Sequence, residues 1–317
     1  MKKKILAVAV AGAFASGAAF AQSVVLSGSV SMGLAKSGNT KAAQVESVIG
    51  ITTSNANMFQ FVATEKLPGG ITATAVSQHR LSAINVDAVS GDLYLDVAGG
   101  FGSVKAGKYA PNSNTGFSAF ADRTITGLNL GAGVVGTNNI ISYTTPNVSG
   151  FTAMLQHNPS GAAAGGSGHG IRLNYALGGL ALQAAHSRAP TASDSLAAKL
   201  TTYAAIYDFK VAKVFFNAND IKAGNSSAAT MGTDVATLAE KGTSISVAVP
   251  MGAMTFRLGY QDKKTNTTST VSDRTAVGID YALSNRTYLT ADVGIDKQAV
   301  TGENKRTNFF LGATHTF

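Results

Sequence analysis

The chain reads as an all-β protein, a sixteen-stranded antiparallel transmembrane β-barrel with short periplasmic turns and long extracellular loops. Three observations predict it. The chain opens with an export leader. Apolar residues alternate with small or polar ones along nearly everything that follows. The connections between alternating segments are by turns tight and long.

The leader comes first. Lys2, Lys3 and Lys4 form a basic start, Ile5 to Ala15 a short apolar stretch, and Ala19-Phe20-Ala21 a small-x-small cleavage site. The apolar stretch is shorter than the roughly 20 residues a membrane-spanning helix needs, so a cleaved signal peptide is expected over 1–21 rather than an uncleaved anchor, with the barrel over 22–317. Of the net charge of +8, three charges belong to those lysines. The remaining basic residues are scattered singly, which argues against a nucleic-acid partner. The absence of Cys excludes disulfides and thiolate metal sites. A chain with 13% charged residues, 35 Gly and 6 Pro suits a repetitive β architecture better than an α/β enzyme.

Alternation then sets the strands. Val24, Leu26, Val30, Met32 and Leu34 share one side of the first segment, with Ser on most positions between. Met254, Phe256, Leu258 and Tyr260 alternate with Thr255, Arg257, Gly259 and Gln261, and the chain ends on Phe309, Leu311, Ala313, His315 and Phe317 against Phe310, Gly312, Thr314 and Thr316. Sixteen segments emerge, at 23–34, 57–66, 71–80, 91–98, 103–109, 138–145, 151–158, 169–177, 180–188, 200–208, 211–221, 242–249, 253–262, 273–282, 286–297 and 305–317, with Val45 to Thr53 able to extend or replace part of an early strand. Most are near the roughly 9–11 residues of a tilted membrane-crossing strand, longer than the roughly 5–6 usual in a soluble sandwich.

The connections separate barrel from sandwich. Tight turns such as Leu67-Pro68-Gly69-Gly70, Gly178-Gly179, Pro250-Met251-Gly252 and Ser284-Asn285 carry turn residues. Between them fall long connections near 35–56, 81–90, 110–137, 159–168, 190–199, 222–241, 263–272 and 298–304. An even strand count brings both ends to one rim, and closure removes edges that lipid does not tolerate. The positions opposite the apolar set include Gln78, Arg80, Asp92, Asp96, Arg172, Lys213, Arg257, Asp280 and Asp292. A packed core would trap those charges at several kcal/mol each; the water-filled lumen of a large barrel keeps them solvated. The polar interior therefore implies a channel.

Catalytic signatures are missing. The five His are isolated in sequence, no Gly-x-Ser-x-Gly elbow occurs, and the Gly-rich 161–170 lacks the Lys-Ser/Thr of a phosphate-binding loop. No enzyme activity, metal or cofactor is expected. A barrel enzyme or a non-conducting adhesin are the competing functions. Tyr143, Tyr175, Tyr207, Tyr260 and Tyr281, near predicted strand ends, suit the aromatic girdle of a barrel.

The segments Gly99 to Pro111 (GGFGSVKAGKYAP), Asn138 to Asn147 (NNIISYTTPN), Tyr207 to Phe215 (YDFKVAKVF) and Asp280 to Thr287 (DYALSNRT) together resemble the general trimeric porins of β-proteobacteria. The resemblance spans the chain after the leader. It implies an outer-membrane homotrimer passing ions and small hydrophilic solutes passively, with outer-membrane lipid and lipopolysaccharide around it. The terminal Asn308 to Phe317 looks like the signal read by the outer-membrane assembly machinery, carried by Phe309, Leu311 and Phe317. The resemblance also implies that the third long loop, 110–137, folds into the barrel, its acids facing basic residues on the wall. Lys108 stands where the family usually has a wall Arg. Alternation alone puts it with Val104 and Ala106, so its inward placement needs a bulge near Gly107. Arg80 and Lys105 are further wall candidates, and Asp122 and Arg123 either line the constriction or pair within the loop. Phe117 and Phe120 are expected to pin the loop to the wall. Two departures stand out: Met58 replaces a family Arg, and the loop is short, with Gly127, Gly131, Gly133 and Gly136 near its end. The expected selectivity is a mild anion preference.

Overall fold

A computed structural model describes residues 22–36, 49–52, 57–81, 91–110, 116–121, 123, 128, 130, 139–159, 167–188, 198–222, 240–265, 270–298 and 306–317. The expected leader lies outside them. The chain forms β1 (Gln22–Lys36), β2 (Ile49–Thr52), β3 (Asn57–Leu67), β4 (Ile71–Leu81), β5 (Leu93–Gly99), β6 (Gly102–Lys108), β7 (Ile140–Thr144), β8 (Phe151–Asn158), β9 (Gly168–Leu177), β10 (Leu180–Arg188), β11 (Lys199–Asp208), β12 (Lys213–Lys222), β13 (Glu240–Met251), β14 (Met254–Thr265), β15 (Thr270–Ala282), β16 (Thr287–Gln298) and β17 (Arg306–Thr316). All belong to one antiparallel sheet in which, from β3 onward, each strand pairs with the next. β2 and β3 lie along the same edge of β1, against Gly33 to Lys36 and Gln22 to Ser29 respectively. They are two pieces of one crossing, so the seventeen strands make sixteen crossings. β17 pairs with the other edge of β1, from Ser29↔Thr316 to Lys36↔Phe309, and closes the barrel.

Strand placement follows the alternation to within a few residues. The larger differences lie at the long-loop rim. β14 and β15 stay paired to Thr265↔Thr270, so the connection expected over 263–272 shrinks to four residues. Beyond the membrane both faces of a strand meet water, hydropathy no longer alternates, and the ladder continues without a sequence signal. β5 and β6 are conversely short, seven residues each, because the chain leaves the wall after Lys108.

Burial is inverted relative to a water-soluble protein. Outward side chains such as Leu258 (53% exposed) and Val277 (54%) stand bare, while inward Asn217 (2%), Ser246 and Gln261 are buried. An apolar outer surface this extensive requires lipid around it. Phe101, Tyr143, Phe151, Tyr207, Phe209 and Tyr281 ring the short-turn rim, all exposed. The Tyr143 hydroxyl donates to the Phe101 carbonyl at 2.7 Å. Among the tyrosines expected in a girdle, Tyr260 instead stands on the long-loop half of β14.

Candidate pore constriction

The third long connection begins at Lys108, and its described residues lie against the inner wall of β13–β16. Phe120 is fully buried in a cluster with Ala119, Leu128, Phe215 and Ala276. Three wall glycines make room for it. An added Cβ at inward Gly242 on β13 or Gly259 on β14 would run into Leu130 or Leu128, and at inward Gly278 on β15 into the Asp292 carboxylate, with Phe120 close by. An inward glycine within a strand marks close approach by another part of the chain, and here three form a notch that seats the loop.

Polar contacts fix the loop's position. The Ala119 amide donates to Ser246 Oγ at 2.9 Å. Arg123 spans two wall carboxylates, 2.6 Å from Asp280 and 2.8 Å from Asp292. Asp280 also meets Arg257 at 2.5 Å and accepts from Thr290 Oγ1 at 2.7 Å. Two guanidinium and two carboxylate groups thus neutralise each other at the anchor. The Arg123 side chain has no solvent exposure and faces the wall carboxylates. It acts as a pin between the loop and the wall. Asp122 lies outside the described residues. Phe120 fills the pinning role expected of it; Phe117 is only half-buried.

The wall of β4–β6 carries the remaining basic residues. Arg80, exposed, is directly across from Met58. Lys105 stands 3.8 Å from Asp96 and 4.2 Å from the centre of the Tyr94 ring, with the Tyr109 ring at 5.3 Å. Tyr109 is held by donating to Ser142 Oγ at 2.7 Å. Lys108 pairs in register with Leu93, an outward residue, so alternation alone sends it to lipid. The preceding Gly107 has φ +145°, and a Cβ there would strike the Leu93 carbonyl and Tyr94 backbone. This backbone irregularity is where the bulge was expected. Lys108 is half-buried and acts electrostatically on Asp92, as do Arg80 and Lys105. Among the described residues, three wall cations therefore stand near two carboxylates, Asp92 and Asp96.

Sequence reasoning placed Asp280, Asp292 and Arg257 in the lumen without assigning them to the loop. The signal for that was present in the inward phase of Gly242, Gly259 and Gly278. The aromatic frame of Tyr94 and Tyr109 around Lys105 left no such trace.

A family model described as "Gram-negative porin" matches residues 7–316. Among solved structures, the anion-selective porin from Comamonas acidovorans is similar at 23% identity, with TM-score 0.77 over 94% of this chain and 100% of that one. The outer-membrane-expressed OmpT of Vibrio cholerae is similar at 14% identity, TM-score 0.69, over 94% and 98% of the two chains. A mutant porin of Rh. blastica is similar at 16% identity, TM-score 0.62, over 93% and 100%. No curated protein matches. With a closed sixteen-crossing barrel, an apolar outer face, a loop pinned inside and a family match across nearly its whole length, the chain belongs to the Gram-negative porins of the outer membrane.

Proposed function

We propose that the protein is a passive diffusion channel with a mild preference for anions, working as a homotrimer after loss of residues 1–21. The observation that carries the anion preference is the unequal charge of the two inner walls. The loop anchor cancels its own charge, whereas Arg80, Lys105 and Lys108 outnumber Asp92 and Asp96. Charge lining a narrow passage biases which ions enter. Lys105 is held by Asp96 and the two tyrosine rings, and Arg80 and Lys108 add their charge to the same wall. The C. acidovorans porin, described as anion-selective, gives independent support through its shared fold. A trimer form is recorded for V. cholerae OmpT, and the resemblance in sequence carries the same assembly to this chain. Phe309, Leu311 and Phe317, all on the outward side of the closing strand, suit recognition by the assembly machinery. No chemistry is assigned to the barrel; its work is to hold an aqueous path open.

The test is single-channel recording in a planar bilayer under a salt gradient. Ohmic steps appearing in threes and a reversal potential of anion-selective sign are expected. A barrel that inserts and passes no current would overturn the channel, and a cation-selective sign would overturn the charge argument.

A further inference from the structure

A second charged group faces the lumen across the barrel from β4–β6, on the short-turn side of the pinned loop. Cross-strand register sets Asp208, Lys213, Ala248 and Arg257 in one row over β11 to β14. They share the inward phase of Phe215 and Ser246, two residues closer to the loop. Neighbouring strands lie about 4.8 Å apart, so the backbones of Lys213 and Arg257 are roughly 10 Å apart. Only the methyl group of Ala248 stands between them, and two long side chains can close over such a gap on one anion. Asp208 lies 3.6 Å from Lys213, whose side chain is nearly half exposed. A lysine ammonium carries three donors, so that carboxylate leaves others to face the lumen. Asp208 is also tied to its own turn, accepting from the Lys210 amide at 2.7 Å. Arg257 meets Asp280 of the loop anchor from the other side.

A hollow of about 410 Å³ opens over this row. Phe215, Ala248 and Pro250 give it an apolar side, and Ala119 of the loop adjoins them. Lys210, Lys213 and Arg257 line it with one carboxylate, Asp208, and Thr255 supplies a hydroxyl. Small-molecule sites have this size and this make-up, an apolar lining with a few placed polar groups. Both walls are held before a solute arrives. Phe215 is buried in the loop cluster, and the Ala119 amide is bonded to Ser246 Oγ at 2.9 Å. A site set in advance loses less to ordering on binding. An inorganic anion would meet the cations and leave the apolar side wet. A neutral ring would cover that side and leave the cations unanswered. A carboxylate carried on a flat apolar ring satisfies both.

We propose that the hollow is a binding site for aromatic carboxylates, with the carboxylate between Lys213 and Arg257 over Ala248 and the ring against Phe215 and Pro250. The proposal rests on the diffusion-channel reading and deepens it. A solute that has passed the loop is held on the periplasmic side of the constriction, so uptake of such acids saturates while that of other small anions does not.

The test titrates the mature protein, folded in detergent, with para-fluorobenzoate and follows the fluorine NMR line. Para-fluorobenzamide serves as the neutral ring and trifluoroacetate as the anion without a ring. The benzoate line should shift and broaden saturably, and neither control should saturate. Lys213→Gln should weaken binding about tenfold, as loss of one hydrogen bond to a charged group does, while Lys213→Arg retains it. Equal binding of either control, or an unchanged affinity in Lys213→Gln, would overturn the site. Should the glutamine variant fail to fold, the three probes on the wild-type chain still decide. A protein that binds the benzoate and passes no current in a planar bilayer would sink the channel reading alone. One that conducts and shows no saturable binding would sink the site alone.

Discussion

Lys108, proposed as a wall cation of the channel, pairs in register with Leu93 and follows Gly107 at φ +145°. Lys108→Glu should shift the reversal potential toward cations, an effect that shrinks as salt rises, since screening acts over about 10 Å at 0.1 M; an unchanged potential would remove Lys108 from the pathway. Gly107→Ala puts a Cβ into the backbone of β5, which cannot yield as a side-chain end could. Its expected outcome is a lower yield of folded, heat-modifiable protein on a gel. At Arg123 the argument is one of burial. Arg123→Met leaves Asp292 without its guanidinium and Asp280 with Arg257 only. Breaking a buried pair from one side costs about 3–5 kcal/mol, so the variant should unfold at a lower temperature and show larger single-channel steps as the loop leaves the wall.

Two elements turn a sheet into a constricted tube. The first is the loop after β6, which lies on three inward glycines. Gly259→Val places branched carbon where Leu128 and Phe120 now sit. Overpacking of this kind costs about 1–3 kcal/mol, and here the loop, rather than the barrel, should give way. Conductance is expected to rise with the barrel's strand content by circular dichroism unchanged. The second is β17. Phe317 exchanges two backbone hydrogen bonds with Gly28, at 2.9 and 3.0 Å, beyond the end of the β1–β17 ladder. Deleting Phe317 removes that last closure of the seam, and slower folding into vesicles, followed by the gel shift of the folded form, is the expected result. Element boundaries were legible where one face met lipid: β8 and β10 begin and end where the alternation does. At the rim of β14 and β15 they were not, because a strand standing in water on both faces has no hydrophobic period to read.

For the whole molecule, alternation and loop rhythm determined the crossing number, the outward and inward faces and the existence of an aqueous interior. Those features follow from one local rule, that successive side chains of a strand point to opposite sides, applied where one side is lipid. The sequence also carried the family through short segments in order. Only the tertiary structure decided which inward charges cancel. Arg123 is 157 residues from Asp280, and nothing local tells a buried, neutralised guanidinium from a solvated one. The same holds for the hollow beside the loop, since Lys213, Ala248 and Arg257 become neighbours through register alone. Periodicity is a property of consecutive residues and survives in a one-dimensional string; charge pairing and loop seating depend on distances between strands, which exist only once the barrel has closed.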